Sequence, residues 1–147
     1  MLTFGPTLIR DSGTYELPRP ILAFNLRDAW DFESFKVPLR DGESLTGHSR
    51  NAVDITIDGQ IGSQSGQLRL DEQAMFETLE DLRAALHVSG PEQTFLLSLY
   101  QDQDGFHRYF SNCTTVRLDS DLSNKHLFNF SIQIRAADPT IHHGLLP

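Results

Sequence analysis

The groups in this 147-residue sequence that could bind a metal ion or transfer a proton are six histidines and twenty acidic residues. The histidines are His48, His87, His107, His126, His142 and His143. Within one predicted element none of them stand at HxH or HxxxH spacing, so nothing makes their imidazoles converge on a metal ion. We therefore expect solvent-facing or locally hydrogen-bonded histidines. The single cysteine, Cys113, cannot form an internal disulfide and is expected to be a small core or semi-buried residue.

Candidate acids and nucleophiles also lack the spacing that catalysis needs. Asp54 and Asp58 lie four residues apart on one predicted strand, too far from each other to share a proton. Ser63 and Ser65 lack the glycine spacing and the following helix of a nucleophile elbow. The segment GQIGSQSG has neither the spacing nor the lysine of a phosphate-binding loop. We expect a protein that is not an enzyme and that uses no cofactor and no metal.

Two segments show strict alternation of apolar and polar residues, and the first of them carries Asp54 and Asp58. They are Asn51–Ile61 and Phe128–Arg135, and this period of two predicts half-buried strands. In the second segment Phe128, Phe130, Ile132 and Ile134 share one face, and Asp138-Pro139 ends the pattern because proline has no backbone N–H. The polar face of the two strands carries Asp54, Asp58, Asn129, Ser131 and Gln133.

One helix and several shorter strands complete the predicted elements. The helix covers Asp71–His87 and begins at Asp71 as its N-cap, because Met75, Leu79, Leu82 and Leu86 recur at helical spacing. The shorter strands are Leu2–Arg10, Pro20–Leu26, Gly66–Leu70, Gln93–Tyr100 and Phe106–Leu118, and a polar loop is predicted at Asp119–Lys125. The sequence therefore predicts one mainly β domain over residues 1–147.

Residues 28–51 are predicted to form a long loop, with at most a short ribbon at Phe35–Leu39. The loop carries an aromatic cluster of Trp30, Phe32 and Phe35. These rings could fold back on the domain, insert into a neighbouring subunit or stack on a sugar, and the sequence leaves these alternatives open.

Charge and hydropathy exclude other classes of partner. The net charge of −8 and the scattered lysines and arginines argue against tight binding of duplex DNA. The apolar runs are too short to cross a bilayer, and the N-terminus lacks the apolar segment of a secretion signal. We expect a soluble protein that is made in the cytoplasm and does not insert into a membrane.

Four segments together resemble the N-terminal ring-forming domain of siphophage distal tail proteins, which is itself similar to tail tube proteins. They are NAVDITIDGQIG, DEQAMFETLEDLRAAL, FLLSLYQDQDGFHRYFSNCTTVRL and RAADPTIH. The resemblance implies a β-sandwich or barrel with a flanking helix, which assembles into a hexameric ring at the distal end of the virion tail. It also implies contacts with tail tube, tape-measure and tail tip or hub proteins, synthesis in the host bacterial cytoplasm, and DNA only in transit. Larger members carry a further C-terminal module, whereas residues 140–147 are expected to be a short tail.

Under this resemblance, the polar strand face becomes the candidate wall of the DNA channel. The candidate lumen residues are Asp54, Asp58, Asn129, Ser131 and Gln133, although the same side chains could instead face solvent outside the ring. Arg135 is expected to pair with a carboxylate or to turn toward a subunit interface. Alternative functions are a tail tube subunit, a carbohydrate-binding β-sandwich of a tail tip using Trp30, Phe32 and Tyr109, and a small β-barrel hydrolase or isomerase.

Overall fold

The computed structural model describes residues 2–35, 44–62, 64–65, 68–69, 71–90 and 93–146, which form twelve strands and one helix. The strands are β1 (Thr3–Arg10), β2 (Gly13–Glu16), β3 (Ile21–Arg27), β4 (Trp30–Phe35), β5 (Ser44–Arg50), β6 (Val53–Gly62), β7 (Gln64–Ser65), β8 (Leu68–Arg69), β9 (Phe95–Gln101), β10 (His107–Asn124), β11 (Leu127–Ala136) and β12 (His142–Gly144). The helix, α1, covers Glu72–Leu86. The predicted fold class, mainly β with a single helix, is confirmed for the described residues.

Eight strands form one antiparallel sheet in the order β2-β1-β9-β10-β11-β6-β3, with β12 beside β10. The long strand β10 joins the two parts of this sheet. Its first residues, to Cys113, pair with β9, and the residues from Cys113 to Asn124 pair with β11. The register shifts between Phe110 and Cys113 and again between Thr115 and Arg117. Such bulges bend a strand, which lets β10 serve both parts.

The ends of the sheet curl toward each other. The rings of Phe4 on β1 and Phe24 on β3 meet edge to face at 5.4 Å, although these strands lie near opposite ends of the strand order. Between β2 and β3, the Leu17 N–H donates to the Pro6 carbonyl at 3.0 Å, and the Pro20 carbonyl accepts from the Gln60 N–H at 3.0 Å. The connecting segment is thus tied to both parts of the sheet, as in a barrel-like sandwich.

One hydrophobic core lies between the inner face of the sheet and α1. The strand residues of β6 and β11 follow the predicted period of two, and their inward-facing side chains are buried. The same cluster contains Leu8 of β1, Phe95, Leu97 and Leu99 of β9, and Phe110 and Cys113 of β10. The helix contributes Met75, Leu79, Leu82 and Leu86 to the same cluster. Asp71 caps the helix, since its carboxylate accepts from the Ala74 N–H at 2.7 Å. The predictions for these three elements are confirmed.

Residues 28–51 do not form the predicted irregular loop. They contain β4 and β5, which pair as an antiparallel hairpin from Trp30 opposite Arg50 to Phe35 opposite Ser44. The Asn51 N–H donates to the Ala29 carbonyl at 2.8 Å and closes its base. A register shift between Glu33 and Ser34 interrupts the alternation that would have indicated a strand. Beyond Phe35, the predicted ribbon lies outside the described residues.

Two further predictions near the C-terminus were wrong. Residues 119–124 were expected to be loop but continue β10, because β11 supplies backbone partners as far as Asn124. The residues that were expected to form a short tail, 140–147, include β12, which pairs with His107–Tyr109 at the start of β10. The alternating strand β11 is therefore followed by one more strand.

Two small residues fit tightly into the core. Gly59 lies inside β6 opposite Phe130, and a methyl group at its Cα would overlap the phenyl ring. Cys113 is fully buried, and burial raises the pKa of its thiol to about 12, so the prediction of a core cysteine is confirmed.

Replacing Leu82 by alanine should test the packing of α1. Leu82 is fully buried, so the truncation should lower the free energy of unfolding by about 2–5 kcal/mol through lost burial and a residual cavity. Phe76→Ala on the exposed side of the same helix is the control and should cost less than about 1 kcal/mol. Urea unfolding measures both, and equal costs would contradict the packing described here.

Candidate functional site

The outer face of four neighbouring strands forms one largely polar surface, which also exposes Leu22 and Val116. The strands are β3, β6, β11 and β10, and their core-facing residues alternate with the polar ones. We call this surface the polar face. Register places its residues in cross-strand rows, for example Asn25 beside Thr56, Thr56 beside Gln133, and Gln133 beside Arg117. The surface exists because each strand keeps the same side toward the core.

All five candidate lumen residues lie on the polar face. Ser131 pairs with Asp58, Asn129 with Gln60, and Gln133 with Thr56, while Asp54 stands opposite Arg135. The structure thus brings these residues together on one surface. Their role as a channel wall remains a prediction.

Sequence reasoning missed the members of the polar face on β3 and β10. Asp119 pairs with Ser131 and Asp121 with Asn129, on a stretch of β10 that was expected to be loop. Arg27 pairs with Asp54 from β3. The alternation of Arg117, Asp119 and Asp121 is the signal that could have revealed the β10 members, but the intervening residues are not consistently apolar.

Opposite ends of the polar face differ in charge. At one end Asp54 on β6 lies between Arg27 on β3 and Arg135 on β11. The Nε of Arg135 donates to Asp54 Oδ1 at 3.1 Å. The expectation that Arg135 pairs with a carboxylate is therefore confirmed. This pair is about half exposed, so it contributes little to stability and mainly orients the side chains.

The other end of the polar face is acidic. Asp58, Asp119 and Asp121 line a shallow cleft together with Leu22, whose side chain is 60% exposed. Hydrogen bonds from the hydroxyl and the backbone N–H of Ser123 lower the pKa of Asp121. Arg117 neutralises part of the charge, since its Nε lies 2.9 Å from Asp119 Oδ2. The carboxylates face solvent and present negative charge to anything that passes over this end.

The hairpin of β4 and β5 carries the predicted aromatic cluster. Trp30 is half exposed, and the Arg50 guanidinium lies over its ring at 5.5 Å. Arg50 also donates to Asp28 at 2.9 Å, so these three residues form a fixed group at the hairpin base. Phe32 stands opposite His48 and Phe35 opposite Ser44 in the ladder. No ladder joins the hairpin to the eight-stranded sheet among the described residues.

A serine, a histidine and an aspartate that the sequence did not bring together meet near the C-terminus. His142 Nε2 lies 2.8 Å from Asp138 Oδ2 and 3.4 Å from Ser111 Oγ, and its ring stacks on Tyr109 at 5.4 Å. In a catalytic triad the acid and the nucleophile contact different nitrogens of the imidazole. Here both contact the same nitrogen, so the arrangement differs from that of a triad, and it fastens β12 to β10.

Asp138 should make stability depend on pH in the acid range. The Thr140 backbone N–H first, and then His142, lower the pKa of the Asp138 carboxyl from 3.8 to about 2. Its ionised form therefore stabilises the fold above about pH 4, and this contribution is lost as the pH falls toward 2. In urea unfolding between pH 5 and 2.5, Asp138→Asn should lose less stability than the unsubstituted protein. The exposed Asp104→Asn is the control, and equal losses in all three proteins would contradict this role.

Neither a metal site nor a membrane span is found in the part of the chain that the structure describes. No three His, Cys, Asp or Glu side chains there lie close enough to hold a metal ion together. No described helix has the length and apolarity to cross a membrane.

The fold is similar to that of two proteins of known structure. One is the SPP1 Dit (gp 19.1) protein, described as a paradigm of the hub adsorption apparatus in phages that infect Gram-positive bacteria; the TM-score is 0.61 at 14% identity over 91% of this chain. The chain spans about half, 50%, of that protein's length. The other belongs to the tail of an empty GTA particle refined with C6 helical symmetry; the TM-score is 0.54 at 9% identity, covering 98% of this chain and 96% of that one.

At the level of sequence, this chain matches no known family profile and no curated protein. The structural similarity nevertheless confirms the resemblance to distal tail proteins for the fold. At these identities it establishes the fold alone.

Proposed function

We propose that this protein is a non-enzymatic structural subunit of a phage-type tail. In this proposal it forms the distal ring that joins the tail tube to the tail tip. The observation that supports it best is the similarity over nearly the whole chain to a hub protein and to a tail protein. Its partners are further copies of itself, the tail tube protein, the tape-measure protein and the tip or hub proteins.

Free strand edges supply a physical reason for a ring. In the described residues β3 pairs only with β6, and β10 beyond Cys113 pairs only with β11. The four strands of the polar face are therefore bounded by a row of unpaired backbone groups on each side. If β3 of one copy lies beside β10 of the next, each copy covers an edge of its neighbour, and a closed ring leaves none exposed.

Closing the ring in this way turns the polar face toward the central channel. The core and α1 lie on the opposite side of the sheet, so they form the outer layer. Carboxylates such as Asp58, Asp119 and Asp121 would then repel the phosphates of passing DNA, whereas a lysine-lined wall would bind them by counterion release. A ring of six is supported by the family resemblance and by the C6 symmetry of the similar tail.

The tail tube itself is the second candidate. This chain covers 96% of the chain from the GTA tail but only half of the SPP1 protein, which favours a tube subunit. A tube subunit would stack its rings into a helical array, and a distal subunit would form one terminal ring. A carbohydrate-binding module is less well supported, because Tyr109 in its proposed platform already stacks on His142.

Purified protein should show the ring directly. Light scattering should give the mass of a closed oligomer, and a cryo-microscopy map should place Asp54 and Asp58 on the inner wall with α1 outside. Stacked rings of open length would favour the tube subunit. A monomer that binds sugars, or a ring with these aspartates on its outer rim, would contradict the proposal.

The β4–β5 hairpin should serve assembly more than folding, since it forms its own small sheet. Replacing residues 28–51 with a short Gly-Ser linker should leave the unfolding midpoint within a few degrees of the original but block tail assembly. Complementation of tail assembly, scored by electron microscopy, measures the effect. Normal tails built from this variant would show that the hairpin makes no essential contact.

The base of the hairpin offers a finer test of the same contact. Trp30→Ala removes the exposed ring and keeps both strands, and it should weaken assembly without lowering stability. Phe106→Ala is a matched control, because Phe106 is a similarly exposed aromatic residue outside the hairpin. Equal effects of the two substitutions would show that Trp30 has no special role.

A further inference from the structure

A groove of about 490 Å³ lies between the last two turns of α1 and the part of β10 that follows Cys113. We call it the α1–β10 groove. Two of its apolar residues, Val88 and Leu118, pack against the edge of the hydrophobic core and stay partly exposed. The helix side of the groove is lined by exposed residues, which are Glu80, Arg83, Ala84 and His87.

A hydrogen bond joins the two sides of the groove. The Thr115 hydroxyl on β10 donates to the Leu86 carbonyl at the end of α1, at 2.7 Å. Carbonyl groups in the last turn of a helix lack a partner within the helix, and this bond satisfies one of them. The groove is therefore already formed in the isolated subunit.

The groove lies on the core side of a free strand edge. Thr115 pairs with Ile134, and Leu118 with Ile132. Both isoleucines are buried, so their partners on β10 also face the core side of the sheet. Beyond Cys113, β10 pairs in the described residues with β11 alone. A strand added to this edge would therefore carry its core-side residues into the groove.

The strand at the far edge of the polar face, β3, carries an apolar side chain that is only partly covered. Leu26 pairs with the buried Ile55 and so faces the core side, yet 39% of its surface is exposed. Phe24, two residues earlier on the same side, packs against the ring of Phe4. Leu26 lies further along the strand, where a partner at the edge of β3 could cover it.

We propose that Leu26 of one copy inserts into the α1–β10 groove of the next copy and thereby aligns the two. This inference rests on the proposed ring, in which β3 of one copy lies beside β10 of the next. Rotation about the ring axis keeps the core side of every copy in the same layer, so Leu26 reaches β10 on the side of the groove. Strand direction alternates from β10 through β11 and β6 to β3, so the new pair is antiparallel like the others.

The cross-strand rows indicate where Leu26 lies in the next copy. One row runs across the four strands through Leu26, Ile55, Ile134 and Thr115. If this row continues without a shift, Leu26 stands beside Thr115. A shift by two rows along β10 places it beside Leu118 instead. Both residues line the groove, so either register buries Leu26 there.

Engineered cysteines test this contact directly. Leu26→Cys is combined with Leu118→Cys, or with Thr115→Cys, and the full chain is oxidised at the concentration at which rings form. Within one copy these positions are three strand spacings apart, about 14 Å, which is too far for a disulfide, so the bond must join two copies. Cys113 is fully buried and does not compete. Non-reducing electrophoresis should show a ladder of joined copies that ends at the size of the ring.

Single variants and a matched control define which surfaces meet. An equal mixture of Leu26→Cys and Leu118→Cys proteins should give dimers and nothing larger, and neither protein alone should give dimers. Leu22→Cys is the control on β3, because Leu22 lines the cleft on the opposite side of the sheet. Mixed with Leu118→Cys protein it should not cross-link, and an equal yield of dimers through Leu22 would overturn the proposal.

Assembly should depend on Leu26 and on the space in the groove. Leu26→Ser should raise the protein concentration needed for half-assembly about fivefold or more, because apolar burial at the contact is lost. Ala84→Trp should have a similar effect by filling the groove from its exposed helix side. Leu145→Ser, at a leucine that is 67% exposed and follows β12, should change this concentration less than about twofold. The unfolding midpoint of each dilute variant shows that the subunit still folds.

The results separate this contact from the ring itself. Rings that cross-link from position 26 to position 115 or 118 support the proposal. Rings without either cross-link overturn it and leave the proposed function intact. Cross-linked rings with normal assembly of Leu26→Ser overturn the insertion of Leu26. A protein that stays monomeric at every concentration overturns the proposed function and this contact together.

Discussion

Ten consecutive residue pairs hold β6 against β11 without a register shift, from Val53 opposite Ala136 to Gly62 opposite Leu127. A slip by one residue would bring the isoleucines of one strand to the outer surface and its polar residues into the core. The Phe130 ring lies where a Cβ at position 59 would stand, so the ladder also needs a glycine opposite this ring. This one alignment determines which side chains enter the core, the surface on which α1 packs and the rows of the polar face.

The polar face carries several charged side chains, yet its ion pairs contribute little to the stability of the fold. Its two ion pairs are roughly half exposed, so neither holds the sheet together. Their effect is to arrange charge, with arginines flanking Asp54 at one end and three aspartates near Leu22 at the other. The charged side chains on this surface therefore contribute little to stability and are available for contacts with other molecules.

Sequence patterns predicted the elements whose faces differ in polarity, and they failed where both faces are exposed. Alternation identified β6 and β11, the helical stripe identified α1, and the five candidate lumen residues came together on one surface. The end of β10 was missed because residues 119–124 project past the core and carry no apolar face. The hairpin was missed because a bulge breaks its alternation.

The place of β1 in the sheet has a consequence for how the chain folds during synthesis. Thr7 pairs with Ser98, so β1 cannot pair with β9 until Ser98 has left the ribosome. The chain loses the entropy of closing this long loop before the contact contributes any favourable free energy. Sheets dominated by such long-range pairings fold in milliseconds to seconds. Until then the edge of β1 and its apolar residues, such as Leu8, are open to other nascent chains. The apolar edge of β1 therefore stays exposed to such contacts until translation has passed β9.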